Sequence, residues 1–290
     1  ALDGHWDLPE RSLDHLSGYM NSRPVRIGNT ASEQVQMDIY GELIDSLYMF
    51  DKYRDQLSHG LWARIVQLVE WVCANWEQPD EGIWEVRGGP QHFLYSRVMC
   101  WVAIDRALQT AFHRGFPAPV DAWRSARDKI YNDVHTNFWD DRRQTFVGIR
   151  GTDMIDAASL IMPLVRFISP VDPRWTGTMR MVQQLLTDDS LVYRYDTHTA
   201  TFDPMGGTEG TFSICSFWYV ECLSRAGDLQ QARLVFEKLL GYANHLGLYS
   251  EQIGPHGEHL GNFPQGLTHI SVISAAYDLN RRLTKAGWSA

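Results

Sequence analysis

Two glutamates in loops have the surroundings in this chain that best suit chemistry. Glu85 lies in the run Gly-Ile-Trp-Glu-Val-Arg-Gly-Gly that starts at residue 82, and Glu251 follows 166 positions later in Tyr-Ser-Glu-Gln. Each loop separates two stretches with the apolar periodicity of helices. Two carboxyl groups that converge from distant loops are what hydrolysis of a glycosidic bond requires.

The neighbours of Glu85 fit the role of a general acid. Such a group needs a raised pKa near neutral pH, which apolar or carboxylate-rich surroundings supply. Trp84 could cover the carboxyl group and could also stack on a sugar ring. The alternative is that Glu85 forms a structural ion pair with Arg87 in a surface turn.

Glu251 fits the role of a general base. A base that activates water must stay ionised and must reach the face of the sugar opposite the acid. Ser250 or Tyr249 could help to hold that water. The alternative is that Glu251 is a solvated loop glutamate with no role in chemistry. The segment taken alone favours this alternative.

Other loops place polar side chains at the same end of the predicted helices. Arg194, Tyr195 and Asp196 offer a guanidinium, an aromatic ring and a carboxylate in succession, and Gln36 and Asp38 begin a helix. Each of these signals is weak by itself. Together they indicate a polar pocket around the two glutamates.

Two further motifs are compatible with ligand binding but do not require it. Glu209 lies in Gly-Gly-Thr-Glu-Gly over 206–210, which lacks the Gly-Lys-Ser/Thr of a phosphate loop and could simply be a permissive helix entry. His256 and His259 have a spacing that could hold a metal, but a His pair in a polar loop is more often neither ligand nor catalyst. We therefore predict no metal and no cofactor.

Composition excludes several function classes. The formal net charge of −9 argues against nucleic-acid binding, which depends on neutralising phosphates. No run of eighteen apolar residues predicts a membrane span, and the N-terminus shows no signal peptide. The four cysteines lie in apolar helical patterns, which predicts buried free thiols in a cytoplasmic protein.

The chain has helical patterns throughout and only short, local strand patterns, near 145–147 and 191–195. Val35, Ile39, Leu43, Leu47 and Phe50 form one stripe, with Ser32 as a possible N-cap. Similar stripes follow at Trp62, Ile65, Val69, Val72 and Trp76, and at Val98, Trp101, Val102, Asp105 and Leu108. Further helices are predicted over 118–136, 155–168, 174–187, 211–226, 229–246 and 267–283.

Long Gly-bearing loops alternate with short plain ones. The long loops each precede a strongly apolar helix, and the helices between are amphipathic, which predicts inner–outer hairpins. This is the layout of an all-α toroid with its functional loops at one end. Five inner helices are counted over 34–50, 95–112, 155–168, 211–226 and 267–283. A six-fold barrel needs one more, so we expect residues 1–290 to form one domain that is incomplete at its N-terminal side.

Several ordered motifs resemble glycoside hydrolase family 15, which contains glucoamylases, bacterial trehalases and glucodextranases. The similarity runs from Asp7 to about Leu279. It is carried by the motifs Ser22-Arg23-Pro24-Val25-Arg26-Ile27-Gly28-Asn29, Gln36-x-Asp38-x-Tyr40-Gly41-Glu42, Gly82-Ile83-Trp84-Glu85-x-Arg87-Gly88, Met99-x-Trp101-Val102-Ala103-x-Asp105-Arg106, Gly210-Thr211-Phe212-x-x-Cys215-Ser216-Phe217-Trp218, Ser250-Glu251-Gln252 and Gly261-Asn262-Phe263-Pro264-Gln265.

The resemblance implies an (α/α)6 barrel and hydrolysis with inversion at the anomeric carbon. The family's Trp-Glu motif makes Glu85 the general acid, and its Ser-Glu-Gln motif makes Glu251 the general base. Its Arg-Tyr pair, which contacts the sugar at the cleavage subsite, falls on Arg194 and Tyr195, and Trp84 would line that subsite. We also expect Arg87, Gln36, Asp38 and Glu209 to bind substrate.

One departure from the family pattern concerns the first barrel helices. Members carry an Arg-Asp motif there that grips the non-reducing glucose, and they usually carry an N-terminal β-sandwich; neither is in this chain. A missing N-terminal segment or a homo-oligomer could complete the pocket. Without either, we expect little activity.

The first hypothesis is an inverting, exo-acting α-glucosidase of the glucoamylase type that releases β-glucose, with carboxyl groups about 6.5–9.5 Å apart. An α,α-trehalase with the same machinery is the alternative within the class. A non-catalytic sugar-binding toroid would keep the aromatic and basic residues without needing two placed glutamates. An unrelated toroid, such as a terpene cyclase, would need Asp-rich or zinc-ligand motifs that the sequence lacks.

Overall fold

The computed structural model describes residues 3–5, 7–196 and 209–288, and this part of the chain is mainly helical, as predicted. The helices are α1 Ile39–Tyr53, α2 His59–Asn75, α3 Leu94–Arg114, α4 Val120–Asn137, α5 Ile161–Leu164, α6 Pro173–Leu186, α7 Ser213–Ala226, α8 Leu229–Leu240 and α9 Gly266–Lys285. Single turns of 3₁₀ helix cover Tyr19–Asn21, Thr30–Glu33 and Ala157–Leu160.

The strands are two residues long and form small antiparallel sheets. They are β1 Arg11–Ser12, β2 Arg26–Ile27, β3 Trp139–Asp140, β4 Thr145–Phe146, β5 Thr187–Asp188, β6 Leu191–Val192, β7 Thr211–Phe212, β8 Gln252–Ile253 and β9 His259–Leu260. The pairs are β1–β2, β3–β4 and β5–β6, and the order of the one three-stranded sheet among the described residues is β7–β8–β9. In that sheet Phe212 lies opposite Gln252, which in turn lies opposite Leu260.

The inner and outer helices alternate as the loop pattern predicts. α3 and α7 are buried on nearly all faces, whereas outer helices such as α8 bury a single stripe. α1 packs on α3, α3 on the Ala157–Leu160 turn, α5 on α7, and α7 on α9. The five inner helices thus form an arc, and α2, α4, α6 and α8 pack around it. Bridges from Phe93 to Ile149 and from Asp156 to Tyr195 join successive loops at one end of the arc.

The third inner helix is shorter than the predicted 155–168. It consists of a 3₁₀ turn followed by the single turn of α5, and its last carbonyl groups face neighbouring inner helices. Arg106 of α3 donates to the carbonyl of Val165 at 2.7 Å, and Arg225 of α7 donates to those of Pro163 and Leu164. These arginines satisfy carbonyl groups that a helix end leaves without partners.

The predicted buried stripe of α1 is wrong, and so is the Ser32 cap. The helix begins at Ile39 and buries Gly41, Ile44, Tyr48 and Asp51 instead. Gly41 makes this possible, because a Cβ there would lie 2.3 Å from the carbonyl oxygen of Met99 on α3.

As a result, apolar side chains of α1 are exposed, and α9 has a similar face. The exposed residues are Val35 before α1, Ile39, Leu43 and Phe50 on it, and Leu267, Ile270, Ile273 and Tyr277 on α9. These two helices are the ends of the arc. Within the described residues they share no packing comparable to that between adjacent inner helices.

The other helical predictions hold with small changes. The stripe from Trp62 to Trp76 is buried, but the helix predicted over 229–246 ends at Leu240. The four cysteines are free thiols, of which Cys73 is only half-buried. None of the helices in the described part of the chain has both the length and the apolar character needed to cross a membrane.

Candidate active site

The loop that carries Glu85 is fixed to the segment before α1. The backbone N–H of Val35 donates to the Glu81 carboxylate at 2.9 Å, and the N–H of Glu81 donates back to the Val35 carbonyl at 3.1 Å. Gly82 adopts a φ of 67°, and a Cβ there would lie 2.7 Å from the Phe93 ring. The loop therefore requires glycine at position 82. Its bonds to Val35 and its close packing on Phe93 hold it in place.

Glu85 itself is exposed and has a φ of 52°. Its carboxylate accepts a hydrogen bond of 3.4 Å from the Gln36 amide, and the Gln34 amide donates to the carbonyl groups of Glu85 and Val86. Left-handed backbone is uncommon outside glycine and tends to occur at functional sites. Glu85 and Gln36, each predicted from the sequence as a site residue, are thus brought together, with the Glu85 carboxyl group facing solvent.

The indole of Trp84 is held from three sides. Its N–H lies 3.0 and 3.1 Å from the two carboxylate oxygens of Asp156, and its ring meets Phe212 edge-on at 5.3 Å between centroids. The guanidinium carbon of Arg194 lies 5.8 Å from the centre of the ring. Trp84 is therefore a fixed platform directly beside Glu85.

Arg194 forms a bidentate ion pair with Glu209, with one N–O distance of 2.7 Å. The guanidinium also lies 4.8 Å from the ring of Tyr195, which is 1% exposed. The structure therefore joins three of the predicted substrate-binding residues, and their contact with sugar stays a prediction. The glycines and threonine at 206–208, which precede Glu209, lie outside the described residues.

The carboxylate of Glu251 accepts three hydrogen bonds from neutral donors. The backbone and side-chain N–H groups of Asn262 donate to Oε2 at 3.0 and 3.1 Å, and the Gln265 amide donates to Oε1 at 2.9 Å. A Cβ on Gly261 would lie 2.6 Å from the same Oε2. These three bonds fix the position of the carboxylate, and Oε1 keeps capacity for one more donor, such as water.

The two glutamate loops meet at Phe212. The backbone N–H of Ser213 donates to the carbonyl of Glu251 at 2.9 Å, immediately after the residue whose ring contacts Trp84. The β7–β8 pairing of Phe212 with Gln252 fixes this register. Glu85 and Glu251 are therefore brought to the same end of the arc from distant parts of the chain.

Three buried aspartates lie beneath the loops. Burial and the neighbouring Asp80 raise the pKa of Asp38 to about 7, and burial also raises the pKa of Asp80. Burial raises the pKa of Asp156 to about 6, against hydrogen bonds from Ala158 and Trp84. Asp38 is only 7% exposed, so its side chain is more deeply buried than expected of a residue predicted to contact substrate.

Sequence reasoning assigned no role to Asp80 or Asp156. Asp80 accepts hydrogen bonds from the backbone of Met37 and the hydroxyl of Ser96. The sequence offered one signal for Asp156, which is a lone carboxylate directly before the apolar run 157–165.

The alternative ion pair for Glu85 is wrong. Arg87 instead lies 3.2 Å from Glu10, which also pairs with Arg26. A role for Arg87 in substrate binding stays a prediction. No group of three potential metal ligands occurs among the described residues, and His259 is engaged with the carbonyl of Tyr242.

Comparison with known proteins identifies the family. Residues 3–277 match the profile of Glycosyl hydrolases family 15, so the chain belongs to this family of glycoside hydrolases. It is 44% identical over 282 residues to a trehalase of Mycobacterium tuberculosis, covering 97% of this chain and 41% of that protein. It is 38% identical over 287 residues to a trehalase of Thermoplasma acidophilum, covering 98% and 48%. The chain thus spans less than half the length of these curated relatives.

Solved structures of low sequence identity share the fold. A bacterial glucoamylase in complex with acarbose aligns with a TM-score of 0.72 at 13% identity, over 86% of this chain and 41% of that one. The arc of inner and outer helices is therefore that of an (α/α)6 barrel, as predicted.

Proposed function

We propose that the protein is an inverting α,α-trehalase in which Glu85 is the general acid and Glu251 the general base. The observation that carries the proposal is the link between the two glutamate loops. The backbone N–H of Ser213 donates to the Glu251 carbonyl, and the ring of the preceding Phe212 contacts Trp84, the neighbour of Glu85. The acid faces solvent, and the base is held by three donors.

The reaction follows from these positions. Glu85 gives its proton to the glycosidic oxygen, and the bond between that oxygen and the anomeric carbon breaks. Water attacks the same carbon from the opposite face, and Oε1 of Glu251 takes the proton of that water. One trehalose and one water give one β-glucose and one α-glucose, because only the attacked carbon is inverted.

The other predicted residues have supporting roles in this proposal. Trp84 offers an apolar surface for a glucosyl ring, and Arg194, oriented by Glu209, donates to its hydroxyl groups. Gln36 holds the acid, Arg87 forms the outer part of the same pocket, and Asp38 lies buried beneath the loop of the acid.

The relatives support trehalose over the oligosaccharides that the sequence hypothesis put first. Both curated relatives described above are trehalases at 38–44% identity. The glucoamylase similarity, at 13%, concerns the fold alone.

The test is glucose release by the full-length protein from trehalose and from maltose, followed by ¹H NMR of the newly formed anomers. We expect equal α- and β-glucose from trehalose at early times, and little release from maltose. Glu85→Gln and Glu251→Gln should each lower kcat at least about 100-fold. Glu258→Gln is the matched control. The Glu258 carboxylate lies in the same loop as Glu251 but accepts a hydrogen bond from the backbone N–H of His256.

Three results would contradict the proposal. Two α-glucose molecules per trehalose would indicate retention, and activity on maltose alone would restore the first hypothesis. Near-normal turnover in either glutamine variant would remove that residue from the mechanism.

A further inference from the structure

Asp156 lies at a junction between the third inner helix and the platform beside the acid. It occupies the N-cap position of the Ala157–Leu160 turn, where Oδ1 accepts the backbone N–H of Ala158 at 2.7 Å. The same carboxylate accepts the indole N–H of Trp84 through both oxygens. It is 4% exposed, so these bonds are shielded from water.

The backbone around Asp156 also fixes Arg194. The N–H of Ala157 donates to the carbonyl of Arg194 at 2.8 Å, and Asp156 bridges to Tyr195. Room for the carboxylate comes from Gly148, where a Cβ would lie 2.5 Å from the Cβ of Asp156. One residue therefore joins the loop of the acid to the segment after β6 that carries the arginine.

Helix capping alone does not explain an aspartate at this position. Asparagine caps helices about as well and avoids the cost of burying a charge. What asparagine cannot do is present acceptors at both positions, since one of its terminal atoms is an N–H donor. Within the described residues, the second oxygen of Asp156 accepts a hydrogen bond from the Trp84 indole alone, which points to a role at that side chain beside the nearby charge of Arg194.

We propose that Asp156 is a positioning residue that fixes the Trp84 indole, and through it Glu85, in the arrangement that receives the glucosyl ring. This inference rests on the proposed function. Asp156 does not contact the reacting atoms in it; it acts through Trp84 and the loop that Trp84 shares with Glu85.

The first test reads the contact itself. In ¹H–¹⁵N spectra of the full-length protein, the Trp84 indole N–H is assigned as the signal that disappears in Trp84→Phe. We expect Asp156→Asn to move this signal further than any other indole signal. Asp278→Asn is the matched control, because Asp278 is equally buried but bonds Ser224 and Arg282 at a distant part of the fold. It should leave the Trp84 signal in place.

The second test reads catalysis. We expect Asp156→Asn to lower kcat for trehalose about ten- to a hundredfold with a smaller change in KM, as small misplacements of catalytic groups do. In a Trp84→Phe background, which keeps the carboxylate and the helix cap, the same substitution should change kcat less than about threefold, because the contact is already lost.

These results separate the inference from the proposed function. If the wild-type protein hydrolyses neither trehalose nor maltose, the proposed function fails, and the indole signal alone decides whether Asp156 fixes Trp84. An unmoved indole signal overturns the inference. So does a double variant whose kcat falls by the product of the factors measured for Asp156→Asn and Trp84→Phe alone. If Asp156→Asn does not fold, Trp84→Phe decides: it should show the same loss of kcat, and unchanged kcat would overturn the inference.

Discussion

Gly261→Ala should disable the proposed base, Glu251, without removing it. Gly261 has a φ of 71°, and an added Cβ would lie 2.6 Å from Oε2 of Glu251 and 3.0 Å from its Cβ. The first distance falls about 0.8 Å short of the 3.4 Å at which ordinary contact begins. The new methyl group meets the carboxylate that the adjacent Asn262 holds, so the carboxylate must move.

The expected magnitudes follow from this geometry. Left-handed alanine costs about 1–2 kcal/mol of stability. A displacement of nearly 1 Å in a catalytic group costs about 100-fold in rate. Gly261→Ala should therefore lower kcat for trehalose about 100-fold while the protein stays folded.

Gly257→Ala separates the backbone cost from the catalytic one. Gly257 lies in the same loop with a φ of 82°, but its nearest neighbour to an added Cβ is a Tyr242 ring carbon at 3.8 Å. Both variants should lose similar stability in thermal unfolding, and only Gly261→Ala should lose turnover. Equal kcat values in the two variants would refute the assignment of Glu251 as base.

Two further predictions concern stability and association. Burial raises the pKa of Asp38 from an ordinary 3.8 to about 7 in the folded protein. Between these values the folded state keeps a proton that the unfolded state releases. The contribution of Asp38 to stability therefore falls as pH rises through that window. Asp38→Asn should flatten the slope of the unfolding free energy between about pH 4 and 7 in urea titrations, and an unchanged slope would contradict the burial argument. The exposed apolar faces of α1 and α9 should promote association. Leu43→Lys with Ile270→Lys should lower the mass measured by light scattering at high concentration, and an unchanged mass would show that these faces do not associate.

Much of the fold could be predicted because apolar periodicity reports burial directly. The alternation of inner and outer helices, and the position of all five inner helices, follow from that pattern. The orientation of α1 does not, because its larger apolar side chains face outward and its contact with α3 depends on Gly41. A small residue at a close approach leaves no hydrophobic signal.

The site was predicted only in part for a related reason. Glu85, Trp84 and Glu251 stand in distinctive local motifs, so sequence reasoning alone could propose them. The residues that hold them come from elsewhere: Asp156 is 72 positions from Trp84, and Gln265 is 14 from Glu251. Asn262 and Gln265 were visible in a family motif, but only the folded loop shows that their donors meet the Glu251 carboxylate.

The different surroundings of the two glutamates argue for their distinct roles. A base must be held where it can reach the attacking water, and three neutral donors fix the carboxylate of Glu251 in position. An acid must reach the leaving oxygen of the substrate, and the exposed Glu85 carboxyl group, with a 3.4 Å contact to the Gln36 amide, is accessible to it. The reverse assignment would make the proton donor the carboxylate whose two oxygens already accept three hydrogen bonds. The contacts around each carboxyl group therefore favour Glu85 as acid and Glu251 as base.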